Sequence, residues 1–375
     1  MLPSGTGAPS LAVIGGGQLG RMLGLAAVPL GVDLRFLDPS PEAPARAVGP
    51  LVVGGLGDPT ALFETTTGAT VVTYEWEGVP ADALHTLESE GAVVRPSTRA
   101  LDVAQDRLAE KTTFRDLSIG VPEFAPVDDR EQLTDAVDAI GLPAVLKTRR
   151  GGYDGKGQAL LREPRDLDAA WDALGPSAPL ILEAWVEFRR EVSVLAVRGV
   201  DGDVRVWPVV ENHHEGGILR VSRAPAPESD SVQLAAEGYV RHLLEHFDYV
   251  GVIALELFDT DDGLLANEMA PRVHNSGHWT IEGAATSQFE NHVRAVLGWP
   301  LGPTHALGAA AMVNCIGALP DPEAILAIEG AHLHRYGKTP RPGRKVAHVT
   351  VTAPDDTTLD LRLDAVRAAL PHDRG

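Results

Sequence analysis

Glu256 and Glu268 lie in two short apolar runs, GVIALELFDT and GLLANEMA, separated by a turn. That spacing predicts a β-hairpin with the two carboxylates side by side. Carboxylates so placed repel each other, so the pair calls for a cation between them. Hard oxygen ligands suit Mg²⁺, which commonly bridges a few carboxylates to substrate phosphates. The run PRVHNSGHW follows at once and brings an arginine, two histidines and an asparagine beside the pair. Those groups suit a second, anionic substrate. The stretch 256–278 therefore points to phosphoryl chemistry, and the rest of the chain must supply a nucleotide site and an acceptor site.

The nucleotide site has its own candidates. Lys147 ends an apolar strand and is followed by Gly151, Gly152, Tyr153, Asp154, Gly155, Lys156 and Gly157. Backbone amides of so glycine-rich a flap can close over phosphates. The pattern is not that of a P-loop, and an ordinary hairpin tip is the plain alternative. Glu183, Ala184, Trp185 and Val186 end a later strand whose backbone could meet a base edge. Glu191 lies where a carboxylate could accept both ribose hydroxyls, or else it is a solvated strand residue.

A second glycine motif has three readings. Gly15, Gly17 and Gly20 fit G-x-G-x-x-G after a strand, and Asp38 ends the next strand. This matches a dinucleotide fingerprint. It equally matches a structural turn, or a helix N-terminus facing another anion. In the last case Gln18 points into the cleft.

The elements that position these groups fall into three segments. Residues 1–100 alternate strand and helix (LAVI, VDLRFLD, TVVTYEWE and AVVRPS as strands), which predicts a parallel α/β sheet. Residues 101–298 read as an α+β unit with many antiparallel strands, among them PLILEAWV, EVSVLAVR, DVRVWPVV and GILRVSRA. Residues 299–375 read as a small cap-like unit of mixed α and β ending in a helix over TTLDLRLDAVRAALP. The net charge of −20 argues against nucleic-acid binding, which needs basic clustering. No apolar run approaches a membrane span, and no signal peptide is evident. The single cysteine, Cys315, cannot form an intrachain disulfide, so a reducing, cytoplasmic setting is expected.

The order of these features is a lysine on a strand, a glycine-rich flap, Glu-x-x-Val, a glutamate, and then Glu and Asn-Glu on paired strands. This order resembles the ATP-grasp superfamily across about residues 100–298, and the α/β domain before it belongs to the same plan. The words GGGQLGRM, YEWE, RRGGYDGKGQ, NHHEGGILR, NEMAPRVHNSGHWT and YGKTPRPGRK narrow the resemblance to the N5-carboxyaminoimidazole ribonucleotide synthetases of bacterial and fungal purine synthesis. His213 and Glu215-Gly216 depart from the family pattern, as does Ala347 where glycine is expected.

The resemblance implies an ATP-grasp fold with an N-terminal Rossmann-like domain and a small C-terminal domain. It implies an ATP-dependent C–N ligase that uses Mg²⁺ and carboxylates 5-aminoimidazole ribonucleotide with bicarbonate through carboxyphosphate. It also implies a homodimer. Lys147 would contact the nucleotide, residues 151–157 would cover the phosphates, residues 183–186 would hold adenine and Glu191 the ribose. Arg107 and His214 would lie on the nucleotide side, and Glu256, Asn267 and Glu268 would carry the metal. Arg272 is the candidate for carboxyphosphate, since a guanidinium grips a planar oxyanion with two parallel bonds; a surface or capping arginine is its rival reading. His274 would help a proton leave the amine, with an internally satisfied core histidine as an equal rival. Asn275 and Ser276 would complete the anion pocket. Tyr153 and Asp154 would contact the imidazole or ribose, with Asp154 accepting from the amine. Lys338, Arg344 and Lys345, on a proline-fixed turn, would take the 5′-phosphate. Glu75 is favoured over Glu77 as the N-domain carboxylate in the cleft. The other readings are a formate-dependent glycinamide ribonucleotide transformylase, an NAD-dependent oxidoreductase, and a nucleotide-sensing protein that kept the fold without catalysis.

Overall fold

The computed structural model describes residues 7–152, 157–175 and 178–371, and among these the strands form three sheets. The first sheet holds β1 (Ser10–Ile14), β2 (Asp33–Asp38), β3 (Leu51–Val53) and β4 (Val71–Tyr74), parallel in the order β3-β2-β1-β4. Parallel strands need both faces covered, and the continuous apolar run Leu11–Ile14 is buried throughout. The expected strand AVVRPS is only a bridge between Val72 and Val94. It stops because Pro96 has no N–H with which to extend the ladder.

The second sheet holds β5 (Phe124–Val127), β6 (Ala144–Thr148), β7 (Gln158–Leu161) and β8 (Leu180–Ala184), antiparallel in the order β5-β8-β6-β7. Lys147 sits near the end of β6, one of its two inner strands.

The third sheet has nine strands. They are β9 (Arg190–Arg198), β10 (Val204–Val206), β11 (Val210–Glu215), β12 (Ile218–Ala224), β13 (Gly251–Thr260), β14 (Gly263–Ala270), β15 (Ala309–Ile316), β16 (Ala331–Arg335) and β17 (Lys345–Ala353). Its main path runs β14-β13-β9-β11-β12-β15-β17-β16, with β10 pairing β9. The run DVRVWPVV is therefore two strands, interrupted at Trp207–Val209, where Pro208 cannot donate. The third segment also differs from the expected separate cap. Val221 to Ala224 of β12 pair with Val313 to Ala310 of β15, so the C-terminal strands extend the same sheet.

Alternation along β9 and β13 places the chemistry. Val192, Val194, Ala196, Ile253, Leu255 and Leu257 point to one face, under the helix Asp230–His246. On the other face Leu195, Val197, Val252 and Ala254 join a second core with Phe289 and Val293 of the helix Gln288–Leu297. That second face turns polar toward one end, where Glu191, Ser193 and Glu256 stand. A period of two thus buries half of each strand and leaves its other half for a site. No helix among the described residues is long and apolar enough to cross a membrane.

Candidate active site

Glu256 of β13 stands directly opposite Glu268 of β14, as the hairpin spacing predicts. The register slips just after this pair, since Glu268 faces Glu256 but Ala266 faces Leu257, which leaves Asn267 as the extra residue of a β-bulge. Bulges re-aim side chains and recur beside active sites. The helix Arg107–Asp116 grips this one. Lys111 Nζ donates to Asn267 O at 2.7 Å and to Ala266 O at 3.2 Å. Glu110 Oε1 accepts from the Met269 amide at 2.8 Å.

Burial, then the neighbouring charge of Glu268, raises the Glu256 pKa to about 8. A pair that resists ionisation in this way is a natural place for a cation. Among the described residues no group of three or more metal-ligating side chains gathers. The donor set is thus two carboxylates, which fits Mg²⁺ held jointly with nucleotide phosphates and water, and does not fit an all-protein cage.

The residues after the pair close around it. His274 Nε2 lies 3.2 Å from Glu256 Oε1, while its Nδ1 lies 2.9 Å from Ser276 Oγ. Burial, then the charge of Arg272, pushes the His274 pKa well down, so this imidazole is neutral. Arg272 donates from one terminal nitrogen to Val273 O at 3.0 Å, and its other terminal nitrogen lies 3.2 Å from Glu77 Oε1. The Asn275 amide is buried with neither its nitrogen nor its oxygen hydrogen-bonded.

Glu77 rather than Glu75 is thus the carboxylate that meets Arg272. Glu75 accepts from the Gly17 amide at 2.8 Å and the Gly20 amide at 3.2 Å. A Cβ at Gly15, where φ is +105°, would come within 2.7 Å of Glu75 Cγ, so this position favours glycine, and one at Gly17 would press on Glu75 Oε1 at 2.7 Å. Asp38 meanwhile accepts from Gly16 and Ser40 at 2.9 and 2.8 Å. Among the three readings of the Gly15–Gly20 motif, these bonds fit the structural turn, because the Gly16, Gly17 and Gly20 amides are spent on Asp38 and Glu75. The dinucleotide reading loses its free amides and its ribose ligand together.

Where a nucleotide was expected, Lys147 and Lys111 both reach Glu183 Oε2, at 2.9 and 3.2 Å. Burial pushes the Glu183 carboxyl up, but the two ammonium groups outweigh it and hold the pKa at about 2. Arg107 braces the base of the flap, donating to Thr148 O at 2.8 Å and Gly152 O at 2.9 Å. Gly151 and Gly157 flank the flap with positive φ; Tyr153, Asp154, Gly155 and Lys156 lie outside the described residues. The amides of Ala184 and Trp185 donate to Glu123 O and Pro143 O, so they are not open to a base edge, and that role narrows to the carbonyl groups and to Val186. Glu191 is ion-paired with His214. Beside it, Phe188 and Phe258 stack at 4.9 Å and offer a flat apolar surface that sequence reading passed over.

Lys338, Arg341, Arg344 and Lys345 converge. Burial, then the charges of Arg344 and its neighbours, lowers the Lys338 pKa to about 8, with Glu75 opposing. Lys338 donates to Gln18 Oε1, which ties this loop to the glycine turn. The charge of Lys345 is felt at Glu256, His214 and His274, so the cation cluster borders the carboxylate pair.

Sequence reading missed Glu110 and Lys111, and a signal was present. Positions 107, 110, 111 and 114 share one helical face, and Phe114 on that face is a core residue.

Three domain families match the chain. Residues 9–105 match the ribonucleotide synthetase preATP-grasp domain, residues 112–289 the ATP-grasp domain, and residues 310–362 the phosphoribosylaminoimidazole carboxylase C-terminal domain. The chain is 50% identical to the N5-carboxyaminoimidazole ribonucleotide synthase of Pseudomonas aeruginosa, over 96% of this chain and 99% of that protein. It superposes on the crystal structure of N5-carboxyaminoimidazole ribonucleotide synthetase from Thermus thermophilus with a TM-score of 0.93 and 53% identity, covering 97% of this chain and 99% of the other. A structure from Aspergillus clavatus, described as a complex with ADP and 5-aminoimidazole ribonucleotide, gives a TM-score of 0.89 at 31% identity, covering 96% of this chain and 99% of the other.

Proposed function

The chain belongs to the N5-carboxyaminoimidazole ribonucleotide synthase family of ATP-grasp ligases, and from that premise we propose how its residues divide the reaction. ATP, bicarbonate and 5-aminoimidazole ribonucleotide become ADP, phosphate and the N5-carboxylated ribonucleotide. The observation that carries the assignment is a facing carboxylate pair bordered by a cluster of cations, with Arg272 held by Glu77 nearby.

Bicarbonate oxygen attacks the γ-phosphorus, and ADP leaves as carboxyphosphate forms. Glu256 and Glu268 would hold Mg²⁺, which supplies charge neutralisation at the β- and γ-phosphates. Lys147, fixed by Glu183, presents a cation from β6 toward the nucleotide. Arg272, oriented by Glu77, offers its guanidinium to the carboxyphosphate. The exocyclic amine of the ribonucleotide then attacks the carbonyl carbon, phosphate departs, and the nitrogen gives up a proton. His274 is a poor acceptor for that proton, since its Nδ1 already faces Ser276 and its Nε2 faces Glu256. Asp154 on the flap is the remaining candidate. Asn275, with its amide unspent, would complete the anion pocket, and the family resemblance supports a homodimer.

Lys338, Arg344 and Lys345 take the 5′-phosphate. Like charges gathered at one loop repel, and a bound phosphate relieves that repulsion. Lys338 carries its charge below about pH 8 and loses it above. Hence kcat/KM for the ribonucleotide should fall as pH rises through that value, since this ratio reports groups of the free enzyme. Lys338→Met should raise KM for the ribonucleotide and flatten that limb, while KM for ATP stays put. An unchanged limb in the variant would remove Lys338 from the phosphate site.

The functional reading is tested by following phosphate release from ATP and bicarbonate, with and without 5-aminoimidazole ribonucleotide. Strong stimulation by the ribonucleotide is expected, and equal rates with and without it would overturn the reading.

A further inference from the structure

A line of hydrogen bonds crosses the polar face of the large sheet and ends at His274. Ser222 Oγ of β12 donates to Asn212 Oδ1 of β11 at 2.8 Å. Asn212 Nδ2 donates to Ser193 Oγ of β9 at 3.0 Å. Ser193 Oγ donates to Ser276 Oγ at 2.8 Å, and Ser276 Oγ meets His274 Nδ1 at 2.9 Å. Three of these residues, Ser193, Ser222 and Ser276, are fully buried.

The direction of the line is fixed by proton counting. Ser193 receives the Asn212 N–H, so its own proton goes to Ser276. Ser276 is then free to turn its proton toward His274 Nδ1. The backbone amide of Ser276 points at the same Nδ1, at 3.4 Å. A nitrogen that faces two donors must be the unprotonated one. The ring proton therefore sits on Nε2, 3.2 Å from Glu256 Oε1. Ser193 is also the cross-strand neighbour of Glu256, so one strand register places a member of the line beside the carboxylate at its end.

We propose that Ser276, Ser193 and Asn212 are positioning residues that hold His274 as the Nε2–H tautomer, so that the histidine orients the Glu256 carboxylate instead of removing a proton from substrate. The proposal rests on the reading that Glu256 faces the nucleotide's metal. Partners that orient a metal-binding carboxylate from behind are worth roughly 10–100-fold in activity or metal affinity. This line supplies such a partner from side chains on three different strands, none of which touches the nucleotide's phosphates in the assignment above.

The test uses full-length, metal-free protein labelled with ¹⁵N-histidine, with His274→Asn identifying the resonances. Wild type should show a pyridine-type shift at His274 Nδ1 and a pyrrole-type shift at Nε2. Ser276→Ala and Ser193→Ala should move both toward a tautomer mixture, and Ser193→Thr, which keeps the hydroxyl, should restore the wild-type pattern. In the metal-loaded enzyme the two alanine variants should lose roughly 10–100-fold in kcat with KM for the ribonucleotide nearly unchanged, and threonine should recover most of it. Circular dichroism of each variant separates these effects from misfolding, and Ser193→Thr carries the test should Ser193→Ala not fold. A protonated Nδ1 in wild type would overturn the proposal, as would His274 shifts indifferent to Ser276→Ala and Ser193→Ala. The tautomer is read without substrate, so failure of ribonucleotide-stimulated phosphate release would sink the functional reading while leaving this result standing.

Discussion

Lys111→Met should destabilise the protein by about 3–5 kcal/mol, the usual cost of removing one partner from a buried ion pair. Lys111 and Glu183 are 1% and 3% exposed. The lysine also caps the two carbonyl groups of the Asn267 bulge, at 2.7 and 3.2 Å. Methionine matches the length of the stem but leaves those carbonyls bare and Glu183 with Lys147 alone. Two losses should therefore appear together. The urea midpoint of ligand-free protein should fall, and nucleotide binding should weaken, because the bulge that presents Glu268 and the strand that carries Glu183 share this one ammonium group. The double variant Lys111→Met/Glu183→Gln should be less damaged than the sum of the singles, since the second change removes the stranded carboxylate. Additive losses, or a Lys111→Met protein as stable as wild type, would show that the helix Arg107–Asp116 does not hold the site together.

The second large effect is expected at the carboxylate pair. Glu256→Gln and Glu268→Gln should each lower ATP turnover by at least about 10³-fold, or ~4 kcal/mol of transition-state stabilisation, if the pair carries the metal. Glu256→Gln has a further signature without metal. The Glu256 carboxyl is raised from 4.5 to about 8 in the fold. A group raised in this way contributes stability that is complete below its unfolded pKa and is lost as pH rises through the folded one. Metal-free wild type should therefore lose thermal stability between pH 4.5 and about 8 relative to Glu256→Gln. Parallel melting curves across that window would mean that the carboxyl is ionised in the metal-free fold. Turnover within tenfold of wild type would sink the metal assignment at that residue.

Much of the site was legible because it is local. The Glu256–Glu268 hairpin follows from spacing, and the convergence of cations on one turn from the run of basic residues around its prolines. What escaped depends on long-range packing. Which of Glu75 and Glu77 meets Arg272 is decided by the first glycine turn, whose amides draw in Glu75. The spent amides of Ala184 and Trp185 follow from neighbours distant in sequence, Glu123 and Pro143. The fusion of the third segment into the large sheet needs β12 and β15 to meet across some ninety residues, which no local pattern announces. Ser193 and Asn212 look like ordinary strand residues, and only the register of β9, β11 and β13 turns them toward His274. Glu110 and Lys111 were readable from helical periodicity, but a charged pair in a helix is usually solvated.

Activation of bicarbonate by phosphorylation, with transfer of its carboxyl group to an amine, leaves an isotopic signature that ¹⁸O-bicarbonate reads. Freshly dissolved label is given to the enzyme with ATP and 5-aminoimidazole ribonucleotide, and the released phosphate is analysed by mass. One bicarbonate oxygen should appear in each phosphate formed, because the oxygen that attacks the γ-phosphorus leaves with it when the amine displaces phosphate from carboxyphosphate. Phosphate free of label, formed as fast as the ribonucleotide is carboxylated, would mean that water takes the phosphoryl group and that bicarbonate is not phosphorylated.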